Sequence, residues 1–175
     1  MTILRRWSSI DNSQNGLGLI ELLVGIAITS LISGVLVMSI IQTDRTVSKN
    51  RNHVASVSRV HNAGHWIHTD AQMAQTVEVD DDESGLPLIL AWTDWDNEHH
   101  QITYAIEEGD LTRSHVIVDG AANKNLVAQS VNISPEMTNC AFSSGVLTFK
   151  LTVTEGEGPR ASSETRVFEV VPRAT

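Results

Sequence analysis

Residues 16–41 read GLGLIELLVGIAITSLISGVLVMSII, and this stretch governs how the rest of the chain is understood. Residues 17–41 are almost all apolar, with a single charge at Glu21. About 20 apolar residues cross a hydrocarbon core of roughly 30 Å, so one membrane span is expected here. The charge is the unusual feature. A carboxylate inside a spanning helix costs about 2.5–3.5 kcal/mol on insertion scales, so it calls for a partner. No lysine or arginine lies between positions 7 and 44 to act as one within the chain.

Gly16, Leu17, Gly18, Leu19, Ile20, Glu21, Leu22, Leu23 and Val24 together resemble the prepilin signal of type IV pilins and type II secretion pseudopilins. That signal is a glycine, an apolar residue after it, and Glu at the fifth mature position. The resemblance implies cleavage after Gly16 by a membrane aspartyl peptidase and N-methylation of the new terminus at Leu17. It also implies that Glu21 meets the α-amino group of a neighbouring subunit during filament assembly. An α-amine with a pKa near 8 is largely cationic at neutral pH, and such a pair is strong in a low dielectric. The chain departs from the family at Leu17, where Phe is usual. It also sets Arg5 and Arg6 apart from the glycine by the polar run SSIDNSQN.

Those two arginines precede the apolar stretch, so the amino end should stay cytoplasmic and the carboxyl end be exported. A cleaved secretory signal fits less well: the run is too long, holds a glutamate and lacks a small-residue cleavage site after it. The formal charge is −9 and is unevenly spread. Residues 76–175 hold six basic and seventeen acidic groups, whereas residues 42–75 hold four basic and two acidic. An acidic head argues against direct nucleic-acid binding, which needs clustered Lys and Arg. Cys140 is the only cysteine, so no intramolecular disulfide can form, and its apolar neighbours suggest a buried thiol.

Beyond Ile41 the apolar run stops, but no proline occurs before Pro87. Val54, Val57, Val60, Gly64, Ile67, Ala71 and Ala74 recur at helical steps, so the helix should continue to about residue 76 with this stripe on a sheet. Gly64 on the stripe would permit close approach. Trp66 is expected on the opposite side, beside Arg59 and Asp70. From position 86 the period changes to two. Strands are expected at 86–92, 102–106, 111–118, 126–133, 146–153 and 165–171, with turns at Gly109 and Asp110 and at residues 156–159. The fold class is therefore α+β, a long N-terminal helix packed on an antiparallel sheet. Its divisions are a leader at 1–16, a transmembrane and filament-core helix at 17–41, an amphipathic continuation at 42–76 and a β head at 77–175.

WIHTDAQMAQTV (66–77), ITYAIEEGDLTR (102–113) and VLTFKLTV (146–153) together resemble the J-type minor pseudopilins and related minor pilins. Those share an Asp at the helix exit, a hairpin with Tyr on one strand and Leu-x-Arg on the next, and late amphipathic strands. The resemblances imply a minor subunit of a type II secretion pseudopilus. A minor pilin of a type IV pilus or DNA-uptake filament is the alternative, and a membrane-anchored binding domain that never polymerises is a third reading. The implied partners are other pilin subunits, prepilin peptidase, an inner-membrane assembly platform and membrane lipid.

Other constellations carry less. Asp80, Asp82, Asp94, Asp96 and Glu98 lie in oxygen-rich loops that could hold Ca²⁺. The second loop, however, lacks the glycine and the final glutamate of an EF-hand, and solvated acidic loops are the expectation. His61, His65 and His68 share one helix edge without a further ligand, and His99 and His100 point to opposite faces of a strand. No nucleophile motif or phosphate loop is present, so neither an enzyme nor a cofactor is expected.

Overall fold

The computed structural model describes residues 18–82, 84–117 and 120–173. The described residues fall into two units that divide after Asp44, and one helix, α1 (Leu19–Met73), has residues in both.

In the first unit α1 contains an 18-residue window apolar enough to cross a membrane, and none of that window is buried. Three hydroxyl groups in the apolar run, on Thr29, Ser30 and Ser39, are satisfied within the helix. Thr29 donates to the Gly25 and Ile26 carbonyls at 2.8 and 3.0 Å, Ser30 to Ala27 at 2.8 Å, and Ser39 to Val35 at 2.9 Å. In hydrocarbon an unsatisfied donor costs several kcal/mol, so these back-bonds let polar residues sit in an apolar run.

The second unit is the α+β head. The strands are β1 (Thr76–Glu78), β2 (Leu88–Thr93), β3 (His99–Glu107), β4 (Asp110–Ile117), β5 (Asn123–Ala128), β6 (Asn139–Ser143), β7 (Val146–Glu155) and β8 (Ser162–Val170). They form two antiparallel sheets rather than the single sheet expected, with orders β1-β2-β3-β4-β5 and β6-β7-β8. The expected strand over 126–133 is where the chain changes sheet. Its first part completes β5, and Val131 then bridges to Val153 of the second sheet.

Alternation puts Leu88 and Leu90, Ile102 and Tyr104, and Leu147, Phe149 and Leu151 into one buried cluster with Val60, Ala63, Ile67 and Ala71 of α1. The helical stripe is shifted from the expectation at its start. Val54 is exposed, and Ser56 is buried in its place, its hydroxyl donating to the His53 carbonyl at 2.9 Å. Gly64 sits under the Phe168 ring, where an added Cβ would lie 2.2 Å from Cε1. The close approach expected at this glycine is therefore made by a side chain of β8.

The β3–β4 turn falls on Glu108 and Gly109, one residue earlier than expected. Both have positive φ, 52° and 83°, as a two-residue type I′ hairpin requires. Register follows from this: Glu107 pairs with Asp110, and Tyr104 lies directly opposite Arg113.

Candidate functional site

Two regions carry the chemistry. The first is the start of α1. Gly16 and Leu17, the predicted cleavage and methylation positions, lie outside the described residues. Glu21 lies in the first turn of α1, and its backbone N–H donates to the Gly18 carbonyl at 2.8 Å. A carboxylate here meets the positive end of the helix dipole, which offsets part of its burial cost in an apolar setting. The side chain is exposed on the isolated chain. Gly25 and Gly34 have nothing within 4 Å of where a Cβ would stand, so both leave room for a neighbouring helix.

The second region is a buried polar network in the head. The helical phase of the sequence predicts Asp70 on the outer side of the helix, beside Trp66. It is instead 3 % exposed. Arg113, 7 % exposed, grips its carboxylate through Nε at 2.7 Å and Nη2 at 2.9 Å, and the Tyr104 hydroxyl donates to the same carboxylate. Three elements meet here: the last turn of α1, β3 and β4. Burial, followed by the adjacent Asp70 charge and hydrogen bond, raises the Tyr104 pKa, so the phenol stays protonated and donates. The hydrogen bond that Arg113 donates to Asp70 raises the Arg113 pKa despite its desolvation. On the outer side, the Arg113 guanidinium lies 4.9 Å from the centroid of the Trp66 ring. Trp66, 37 % exposed, is thus half-covered by a strand residue. The network ties the helix exit to the hairpin with both carboxylate oxygens hydrogen-bonded, which is what buried charge requires.

Further along the same sheet face, Trp92 stacks on His100 at 5.1 Å, and His100 Nδ1 lies 3.1 Å from His115 Nε2. One ring must donate and the other accept. Burial first, and then the Arg113 and His100 charges, hold His115 below the ordinary imidazole pKa. This pair was missed because the residues lie on different strands, 15 positions apart; only the β3–β4 register joins them. His99, facing away from His100, shares a 2.7 Å hydrogen bond with Thr93 Oγ1. His61, His65 and His68 are all exposed.

The acidic loops have local work. Asp82 Oδ1 accepts from the Ser84 N–H and hydroxyl and from the Gly85 N–H at 2.7–3.0 Å, and the Ser84 hydrogen bond leads in lowering its pKa. Gly85, at φ +64°, then passes so close to the Cys140 carbonyl that a Cβ would lie 1.9 Å from it. Burial pushes the Cys140 thiol up to about 12. Asp80 Oδ1 accepts from the Asp81 N–H at 2.7 Å. Asp94 Oδ1 accepts from the Trp95 N–H at 2.7 Å, and Asp96 Oδ1 from the Glu98 N–H at 3.3 Å. Among the described residues no group of three or more His, Cys, Asp or Glu is arranged to hold a metal ion.

The family model described as the prokaryotic N-terminal methylation motif matches residues 11–37. No curated protein and no solved structure matches the chain. The motif indicates a type IV pilin- or pseudopilin-like protein, and it implies processing by prepilin peptidase and assembly with other pilins. Together with the apolar helix it fits a membrane-anchored protein.

Proposed function

We propose that this chain is a minor pilin-like subunit of a type II secretion pseudopilus, and that its work is assembly rather than catalysis. In this reading residues 1–16 are a leader removed after Gly16, and Leu17 becomes the methylated terminus. Residues 17–41 hold the subunit in the inner membrane, amino end cytoplasmic, and later pack in the filament centre. Residues 42–76 carry the helix into the head at 77–175. The assembly platform draws the stored subunit into an extracytoplasmic filament, where Glu21 sets axial register by pairing with a neighbour's terminal amine. The observation that carries this reading is the methylation motif over residues 11–37 coinciding with a carboxylate in the first turn of an apolar helix.

The J-type assignment draws support from the head. Residues 66–77 and 102–113, which carry that resemblance, are the segments that meet at Asp70, Tyr104 and Arg113. An Asp at the helix exit and a Tyr and Arg across one hairpin then have a shared structural reason.

The test is the N-terminal mass of the mature protein from cells with an active prepilin peptidase. A methylated Leu17 terminus is expected, and Gly16→Val should leave the leader attached, since a β-branched residue crowds the peptidase site. A persistent Met1 or Thr2 terminus in the unsubstituted protein would refute the reading.

A further inference from the structure

We propose that the β2–β3 hairpin tip is a docking knob for a different pilin-like subunit, one that offers an apolar side chain flanked by Lys or Arg. The inference rests on the filament reading above and gives the head a contact of its own beside the packing of apolar helices.

The tip presents Trp95, at 92 % exposure the most exposed large apolar side chain among the described residues. A single exposed apolar residue is ordinary; this one differs in being held in place. The Asp94 N–H donates to the Glu98 carbonyl at 2.9 Å, the Asn97 N–H donates to the Asp94 carbonyl at 3.0 Å, and Asn97 takes a left-handed φ of 68°. The strands that carry this turn are braced on both faces. Trp92 stacks on His100 on the inner face, and Thr93 Oγ1 lies 2.7 Å from His99 Nδ1 on the outer one. The Thr93 N–H also donates to Gln75 Oε1 at 3.1 Å, which ties the base of the tip to the chain just past α1. A side chain already ordered loses little freedom on binding, and a tryptophan brings some 150–250 Å² of contact, so a fixed, bare indole is suited to be an anchor.

A hollow of about 490 Å³ opens at the foot of this knob, lined by Thr76, Ala91, Thr93, Gln101 and Val116 among others. Strand alternation puts these five on the sheet face turned away from the buried cluster, and none of them is charged. Knob and hollow lie side by side. A partner can cover the indole and seat an apolar side chain of its own in the hollow, which gives the contact a packed centre.

Charge narrows the partner. Asp94, Asp96 and Glu98 are exposed around the indole. Asp94 and Asp96 each accept a backbone N–H inside the turn, and none of the three stands in an ion pair among the described residues. No lysine or arginine occurs between Arg59 and Arg113, and Arg173 lies across Gln75 and Thr76 in the neighbouring groove. Three carboxylates without counter-ions disfavour a lipid surface with anionic headgroups. They disfavour a second copy as well, since residues 76–175 hold six basic against seventeen acidic groups. A head with Lys or Arg around an apolar side chain complements the tip, and a guanidinium or ammonium over the indole face adds to the contact. The chain itself uses that pairing where Arg113 covers Trp66.

The tip sits where α1 ends, about 40 Å along the helix from Arg45 at 1.5 Å per residue. Docking there is made by the head alone, so it can be tested apart from the apolar helix.

The experiment uses full-length chains in membranes that contain the assembly machinery and its other pilin-like subunits. A photoreactive benzoylphenylalanine replaces Asp96, and irradiated products are identified by mass spectrometry. The expected product joins this chain to a different pilin-like subunit, on its exported head and within a few residues of a Lys or Arg. Its yield should fall at least about fivefold when Trp95→Ala is added, and comparably with Ala91→Phe, which fills the hollow. It should fall about twofold or more in about 0.5 M salt, where exposed charges are screened. Val167→Ala, at an exposed site on β8, should leave it unchanged. Normal membrane levels of the processed variants separate lost docking from lost folding. A yield indifferent to both Trp95→Ala and Ala91→Phe would overturn the proposal, as would products confined to lipid, to a second copy of this chain or to a protein without a pilin-type signal. The same photoreactive group at Val35 reports packing of the apolar helices. If it joins another pilin-like subunit and the tip does not, this contact alone fails; if neither does, the filament reading fails and takes the contact with it.

Discussion

Replacing Asp70 by asparagine keeps the shape of the side chain and removes its charge, stranding the Arg113 guanidinium in a site where it is only 7 % exposed. Breaking a buried ion pair by removing one partner costs about 3–5 kcal/mol, because the remaining charge has lost water without compensation. Asparagine still offers one acceptor to the Arg113 and Tyr104 donors, so about 3 kcal/mol is expected; Asp70→Ala, which offers none, should approach 5 kcal/mol. A domain of this size has about 5–15 kcal/mol in all, so either change is a large fraction of its stability. The assay is urea unfolding of residues 45–175 followed by tryptophan fluorescence, to which Trp66 beside Arg113 contributes. With a slope of about 2 kcal/mol per molar urea, the midpoint should fall by about 1.5–2.5 M. The pair replaced together, Asp70→Leu with Arg113→Met, should recover part of that loss, since an apolar isostere of a buried pair is often neutral whereas the Tyr104 hydroxyl loses its acceptor. A loss below about 1 kcal/mol for Asp70→Asn, or strictly additive losses in the double variant, would refute the view that this network holds the helix exit to the hairpin.

Gly64→Ala should destabilise the same fragment by about 1–3 kcal/mol, because its methyl would meet the Phe168 ring; Phe168→Leu should restore part of this, and equal urea midpoints with and without the methyl would contradict the contact. His115, with its pKa lowered on folding, binds fewer protons folded than unfolded. Stability should therefore be full above pH 6.5 and fall as the pH drops below it. Urea midpoints at pH 7.5 and 5.5 measure this, and His115→Gln should shrink the difference; an unchanged difference would show that other groups cause it. For Glu21→Val, membrane insertion becomes easier by about 3 kcal/mol, whereas a filament is left with an unpaired terminal amine at about 3–5 kcal/mol. Leader removal should be normal and crosslinking to pilin partners should drop more than a hundredfold at equilibrium; equal crosslinking of processed protein would remove Glu21 from any role in register.

Much of the architecture could be read from local pattern. The switch from a helical period to an alternating one near position 86 separates helix from sheet, because a buried stripe and a buried pleat repeat at different spacings. β3, β4, β7 and β8 follow from that alternation to within a few residues at each end. β1 and β6 did not, since three- and five-residue strands carry too few alternations to stand out. The division into two sheets was also hidden. It depends on hydrogen bonds between distant segments, such as the Cys140 N–H to the Ser84 carbonyl at 2.8 Å and the Asn132 N–H to the Thr152 carbonyl at 2.9 Å.

What the sequence by itself determined is the amino-terminal motif. In the proposed reading Gly16, Leu17 and Glu21 would act through their order along the chain, so the motif over residues 11–37 is legible without a tertiary structure. The head is the opposite case. Asp70, Tyr104 and Arg113 all stand in segments that drew notice, yet helical phase alone put Asp70 outside with Trp66. A turn on Gly109 and Asp110 would have set Tyr104 across from His115. Placed on Glu108 and Gly109, the turn sets it across from Arg113, and α1 then lowers Asp70 onto the pair. A one-residue displacement of a hairpin turn moves every cross-strand partner by two. That choice puts Glu108 as well as Gly109 at positive φ, a cost that local sequence preference would not select.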